Sequence, residues 1–165
     1  MNYCRFTTAI IIALLCSSVV ARDLPVTYDP NFKCENGLLG LRLPKSYEAV
    51  RSIGKLQQEQ VVRVEDWGTY KSEGRELIFS GLTLHLVTFT NDKSRYMVES
   101  AVISGRQWAL AGKIKIGDTV KDVLRRARKG VLKDGEIEIA GDTDFVRYRI
   151  SKGKVTKITY VCYTG

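Results

Sequence analysis

The chain has 165 residues and carries 26 lysines and arginines against 18 acids, a net charge of +8. One histidine and four cysteines leave little material for proton transfer, nucleophilic attack or metal binding. The three prolines are scattered at Pro25, Pro30 and Pro44, which excludes a proline-rich linker.

The first stretch, MNYCRFTTAIIIALLCSSVVA, has one positive charge at Arg5, an apolar run from Ala9 to Leu15, and small residues leading to Val19 and Ala21. This predicts a secretory signal peptide over residues 1–21, cleaved after about Ala21, and a periplasmic or secreted protein. Ala9 to Ala21 is 13 residues, short of the roughly 20 needed to cross a hydrocarbon layer of about 30 Å. No later segment is apolar enough either, so an integral membrane protein is not expected. Leu15 is bulky where a lipoprotein signal ending at Cys16 would have a small residue. Losing Arg5 lowers the charge to +7, and Cys4 and Cys16 leave with it. Residues 22–165 then form a single mature domain, long enough to bury one core. Its two cysteines, Cys34 and Cys162, admit one intramolecular disulfide in an oxidising compartment. Across so long a loop the chain-entropy model gives roughly 4 to 5 kcal/mol of stabilisation.

The first predicted unit opens on LRLPKSYEAV, Leu41 to Val50: a short strand, a turn and a helix capped at Ser46. Strands are predicted from Val61 to Tyr70, from Glu76 to Phe89 with Leu82, Leu84 and Leu86 alternating, and from Tyr96 to Ser104. The second unit opens on IKIGDTVKDV, Ile114 to Val123, which aligns with the first without a gap. Thr119 and Asp122 are spaced for a capping box, and Val120, Val123, Leu124, Ala127 and Val131 form a helical stripe. Strands follow over Glu136 to Ala140, Asp144 to Ile150 and Val155 to Tyr163, the last two joined by the tight turn Ser151-Lys152-Gly153. The expected fold class is α+β. Two repeats of helix plus about three antiparallel strands, about 41–105 and about 113–164, place both helices on one side of the sheet.

Ser46, Ile53-Gly54, Trp67-Gly68-Thr69-Tyr70, Gly74 and Leu77-Ile78-Phe79 follow one another in an order that resembles small exported tandem-repeat modules. These are of the β-lactamase inhibitory protein type and of the outer-membrane assembly lipoprotein family BamE. Gly117, Thr119 and the Val146 to Ile158 hairpin repeat the resemblance. It implies architecture only, and Pro44 and Arg128-Lys129-Gly130 depart from the pattern.

No HExxH, GxSxG, SxxK or phosphate-cradling glycine loop is present. His85 lies between leucines of an alternating strand and is read as a strand-face residue. Asp134, Glu136, Glu138, Asp142 and Asp144 could converge on calcium or pair as acid and base, but their spacing fits no calcium loop and reads as solvated strand edge. Glu65 or Asp66 with Glu76 is a further carboxylate pair that nothing singles out. No cofactor is expected.

Basic residues mark two places. Lys121, Arg125, Arg128 and Lys129 lie off the apolar stripe of the second helix and near its C-terminal end, where cations complement the macrodipole. Arg147 and Arg149 alternate with Val146, Tyr148 and Ile150, and Lys157 follows on the next strand. With Trp67, Tyr70 and Trp108 as apolar anchors, these make a candidate partner-binding face. Export argues against nucleic acid and leaves an acidic protein surface, or anionic envelope polymers, as partners. The expected function is a monomeric, non-enzymatic protein-binding module, an inhibitor or toxin-immunity protein that blocks a secreted or envelope enzyme. An envelope assembly or cell-surface structural protein is the alternative, and a carboxylate-dependent hydrolase the third reading.

Overall fold

The computed structural model describes residues 27–28, 43–108, 114–126, 130–141 and 144–162. The signal segment, Cys34, Asp142, Arg128 and Lys129 lie outside them. Nine strands and two short helices follow in order: β1 (Thr27–Tyr28), α1 (Tyr47–Arg51), β2 (Leu56–Asp66), β3 (Lys71–Phe79), β4 (Leu82–Phe89), β5 (Asp92–Ile103), α2 (Val120–Arg126), β6 (Leu132–Lys133), β7 (Glu136–Ala140), β8 (Asp144–Ser151) and β9 (Lys154–Cys162).

All strands join one sheet in the order β1-β7-β8-β9-β5-β4-β3-β2, with β6 also on β7. Every pairing is antiparallel except β1 on β7. This overturns the expected α+β fold of two helix-plus-strand repeats. The joint is β5 on β9, where Ser100 to Ile103 pair with Val161 to Ile158 and fuse both groups of hairpins into one surface. The helices have five and seven residues, too few to form a layer of their own. They plug one face of a β structure.

The expected strand from Glu76 to Phe89 is two strands. Ser80 and Gly81 turn the chain between Phe79 and Leu82, which pair with one another, and Gly81 has φ +71°, the region that favours glycine. The β8–β9 turn is as expected in place. Lys152 and Gly153 both have positive φ, the geometry whose twist matches its flanking strands. Both helix starts are capped as their residues require. Ser46 accepts from Ala49 N at 3.4 Å. Thr119 Oγ1 accepts from Asp122 N at 3.2 Å and donates to Asp122 Oδ2 at 2.7 Å.

Strand alternation gives the sheet two unlike faces. On one, Leu77, Phe79, Leu82, Leu84, Leu86, Ile103, Val146, Tyr148, Ile158 and Tyr160 join Tyr47 and Val50 of α1 and Val123 of α2 in one buried core. The opposite face bears Gly74, His85, Val87, Phe145, Arg147, Arg149 and Lys157, and neither helix packs on it. Cys162 ends β9 buried in the core and is not a free thiol.

Candidate functional site

The open face holds a trough of about 1030 Å³ above β2 to β5, with the end of β9 at its margin. Two bulges and one glycine build it. Val62 is an extra residue of β2 between the pairs Val61–Arg75 and Arg63–Gly74, so Val62 and Arg63 both turn into the trough. Glu99 is likewise extra on β5, between the partners of His85 and Leu86, and reaches the trough beside Ser100. Gly74 supplies the floor. A Cβ there would stand 3.2 Å from Arg63 Cβ and 3.7 Å from its Nε, so the arginine lies flat across the missing side chain.

Arg63 crosses the trough. Its Nε is 3.0 Å from Glu65 Oε1, and its Nη2 donates to Glu99 Oε1 at 2.7 Å. The end wall is aromatic. The Trp67–Tyr70 turn closes through Trp67 N donating to Tyr70 O at 2.9 Å, and Asp66 Oδ1 accepts from Gly68 N at 2.9 Å. Trp67 Nε1 donates to Ser72 Oγ at 3.0 Å, which fixes the indole while 58% of the residue stays exposed. Tyr70 lies 6.3 Å from it with the planes 18° apart, and Phe89 lies 6.2 Å beyond Tyr70. Arg95 covers the Phe89 ring at 5.0 Å. At the other end, His85 Nε2 is 3.6 Å from Glu76, which also accepts from Gln60 at 2.6 Å.

Trp67 and Tyr70 therefore share one site, as the sequence suggested. Arg147, Arg149 and Lys157 occupy the same face of the sheet on β8 and β9, across β5 from the trough. There Arg147 Nε donates to Glu138 at 2.7 Å, and Glu136 lies 3.3 Å from both arginines. The basic face expected from Arg147 and Arg149 is a cross-strand ladder that two glutamates balance. Trp108 does not join the face. It packs on Phe79 at 6.0 Å and donates from Nε1 to Ser80 O at 2.8 Å, under the β3–β4 turn.

The described acids of the second half do not converge either. Glu136 and Glu138 serve the arginines, Asp134 sits in a positive-φ turn, and Asp144 is buried within reach of the Tyr160 hydroxyl at 3.4 Å. Among the described residues no three metal-capable side chains are grouped. Two of the helix cations are paired as well, Arg125 with Asp122 at 2.8 Å and Arg126 with Asp118 at 2.9 Å.

A second cluster escaped sequence reasoning. Beside α1, a cavity of about 410 Å³ is lined by Tyr47, Arg51, Glu59, Glu73 and Arg75. Glu59 accepts from Arg51 Nε and Arg75 Nη1, each at 2.7 Å, and from the Tyr47 hydroxyl, while Arg75 also holds Glu73. Burial would raise the Glu59 carboxyl, but the Tyr47 hydroxyl and the guanidiniums of Arg51 and Arg75 outweigh it and hold the group below its ordinary value. Burial and the bond to Glu59 push the Tyr47 phenol up to about 12. An acid–base pair needs one partner that gives up its proton near neutrality. Here the carboxylate is kept charged and the phenol neutral, so the cluster is an ionic tie between α1, β2 and β3. Only Glu59, one residue of an unremarkable QQEQ run, could have hinted at it.

No family model matches the chain, and neither a curated protein nor a solved structure does. The resemblance to the inhibitory and assembly modules rests on its motifs alone. Among the described residues no helix is long and apolar enough to cross a membrane.

Proposed function

We propose that the protein is an exported, non-catalytic binding module whose working surface is the open face of the sheet. It acts by occupying a secreted or envelope enzyme, as an inhibitor or an immunity protein does. The observation that carries the reading is the aromatic wall. Trp67 is held by Ser72 and Tyr70 while most of it stays in water, and pre-ordered aromatic anchors bind with little entropy left to lose. Residues 1–21 support export, and the charge of +7 that remains without them supports steering toward an acidic partner. A Cys34–Cys162 bridge belongs to the same proposal. Mass spectrometry of the non-reduced digest should recover the two cysteines as one linked peptide.

The test is capture from envelope and secreted fractions with immobilised protein. The native chain should retain one dominant partner. Trp67→Ala with Tyr70→Ala should release it, and Arg125→Ala, on a paired helix cation, should not. Replacing Arg147 and Arg149 should weaken capture by less than the aromatic pair, because their charges are already balanced by Glu136 and Glu138. Capture indifferent to Trp67 and Tyr70 would sink the reading.

A further inference from the structure

Six large hydrophobic residues are well exposed among the described residues, and four of them, Val61, Val62, Val64 and Trp67, fall within seven positions of β2 and its following turn. Val62 and Trp67 line the trough. Trp67 offers a ligand only its ring, because its N–H is already spent on Ser72. Beside that ring the polar groups are already paired. Arg63 sits between Glu65 and Glu99, so the guanidinium that lines the trough is shared by two carboxylates. A charged ligand would have to break a satisfied pair to make its own. A neutral ligand that both donates and accepts can use the remaining edges of these planar groups, with the hydroxyl of Ser100 nearby. The main chain of β3 and β4 beneath the trough is spent on neighbouring strands, and the free strand edge is that of β2 at the border, so a ligand lying across the floor meets side chains rather than backbone.

One ligand class combines an apolar face with a rim of hydroxyls. A pyranose ring stacks its C–H face on an aromatic side chain and turns vicinal hydroxyls to carboxylate and guanidinium. The volume, about 1030 Å³, is at the upper end for a compact ligand and suits several units in a row. We infer that the trough is a binding site for a neutral saccharide chain, with Trp67 as the stacking platform and Glu65, Arg63 and Glu99 as the hydroxyl-binding row. The inference rests on the open face being a binding surface and goes beyond the protein partner proposed for it.

Titration of the intact protein with cellohexaose, chitohexaose and maltohexaose, followed by calorimetry and by tryptophan emission, tests this. At least one hexasaccharide should bind saturably, about tenfold more tightly than its monosaccharide, with an emission change that Trp67→Phe removes. Trp67→Ala and Glu99→Gln should each weaken binding about tenfold or more with the melting temperature nearly unchanged. Glu99→Gln keeps the shape and guards against a folding artefact. No saturable binding to any of the three, equal affinity for the monosaccharide, or binding unchanged in both variants overturns the site. So does preference for an arginine- or glutamate-bearing peptide. Partner capture that depends on Trp67 without saccharide binding leaves the protein reading standing and removes this one, and saccharide binding without capture does the reverse.

Discussion

Two glycines in turns show how far a single residue's role depends on what lies opposite it. Gly81 and Gly153 have nearly the same φ, +71° and +72°, but a Cβ on Gly81 would stand 2.5 Å from Gly105 Cα, whereas one on Gly153 meets nothing within 4 Å. Gly153→Ala should therefore cost about 1 kcal/mol, the strain of a left-handed alanine. Gly81→Ala adds a backbone collision and should cost about 3 kcal/mol or more. Urea denaturation of the two variants separates the terms, and equal losses would show that the Gly105 contact gives way freely. The sequence marks Gly153 as a turn, through Ser151-Lys152-Gly153, but places Gly81 inside one strand from Glu76 to Phe89. Only the fold brings residue 105 against residue 81.

At the scale of elements, a five-residue helix has little stability of its own, and the ionic tie beside α1 is what anchors it. Arg75→Met removes the cation shared by Glu59 and Glu73 and leaves two carboxylates without their common partner. Because Arg75 and Glu59 remain 24% and 17% exposed, the loss at pH 7 should be about 2 kcal/mol rather than the larger cost of a fully buried pair. A loss under about 0.5 kcal/mol would reduce the cluster to an ordinary surface pair. The pH dependence has a definite sign at both ends. Glu59 is held below its ordinary value of 4.5, so its contribution is present above about pH 4.5 and drains away as the pH falls through the lower folded value. Tyr47 is raised from 10.0 to about 12, so the neutral phenol stabilises fully below pH 10 and its contribution is lost between pH 10 and about 12. Stability followed by urea denaturation should fall in both windows, and Tyr47→Phe should lessen the alkaline fall, to which the phenols of Tyr96, Tyr148 and Tyr160, also raised by burial, contribute, while Arg75→Met changes the acid one.

For the whole molecule, the joint between β5 and β9 decides whether the chain behaves as one body or two. Ile158 faces Ile103 across that joint and is fully buried. Ile158→Ala should cost about 3 kcal/mol, and a continuous sheet should take the loss as one displaced transition, with far-ultraviolet dichroism and tryptophan fluorescence moving together. Two separated transitions would mean that the halves fold independently. The edges of the sheet differ in the same way. β7 is flanked by β1 and β6, while β2 ends the sheet with 11 residues, relieved by its bulges.

What the sequence determined by itself was local chemistry. The caps at Ser46 and Thr119, the Lys152-Gly153 turn and most strand alternation are set by residues within a few positions of each other, and a side chain's face follows from the period of two. Trp67 and Tyr70 were found together because a four-residue turn joins them, and Arg147 and Arg149 were placed on the face opposite Val146 by alternation. The fold class was not determined in this way. The gapless match between Leu41–Val50 and Ile114–Val123 records two similar helix starts, but whether the following hairpins make two sheets or one depends on β5 meeting β9 more than 50 residues further along the chain. The trough was equally hidden, since Gly74, Val62 and Glu99 acquire their roles from bulges that exist only relative to a partner strand. The balance of charge on Arg147 and Arg149 waited on Glu136 and Glu138 coming to lie directly opposite. Pairing across strands has no period in the sequence, so it is decided by the tertiary structure alone.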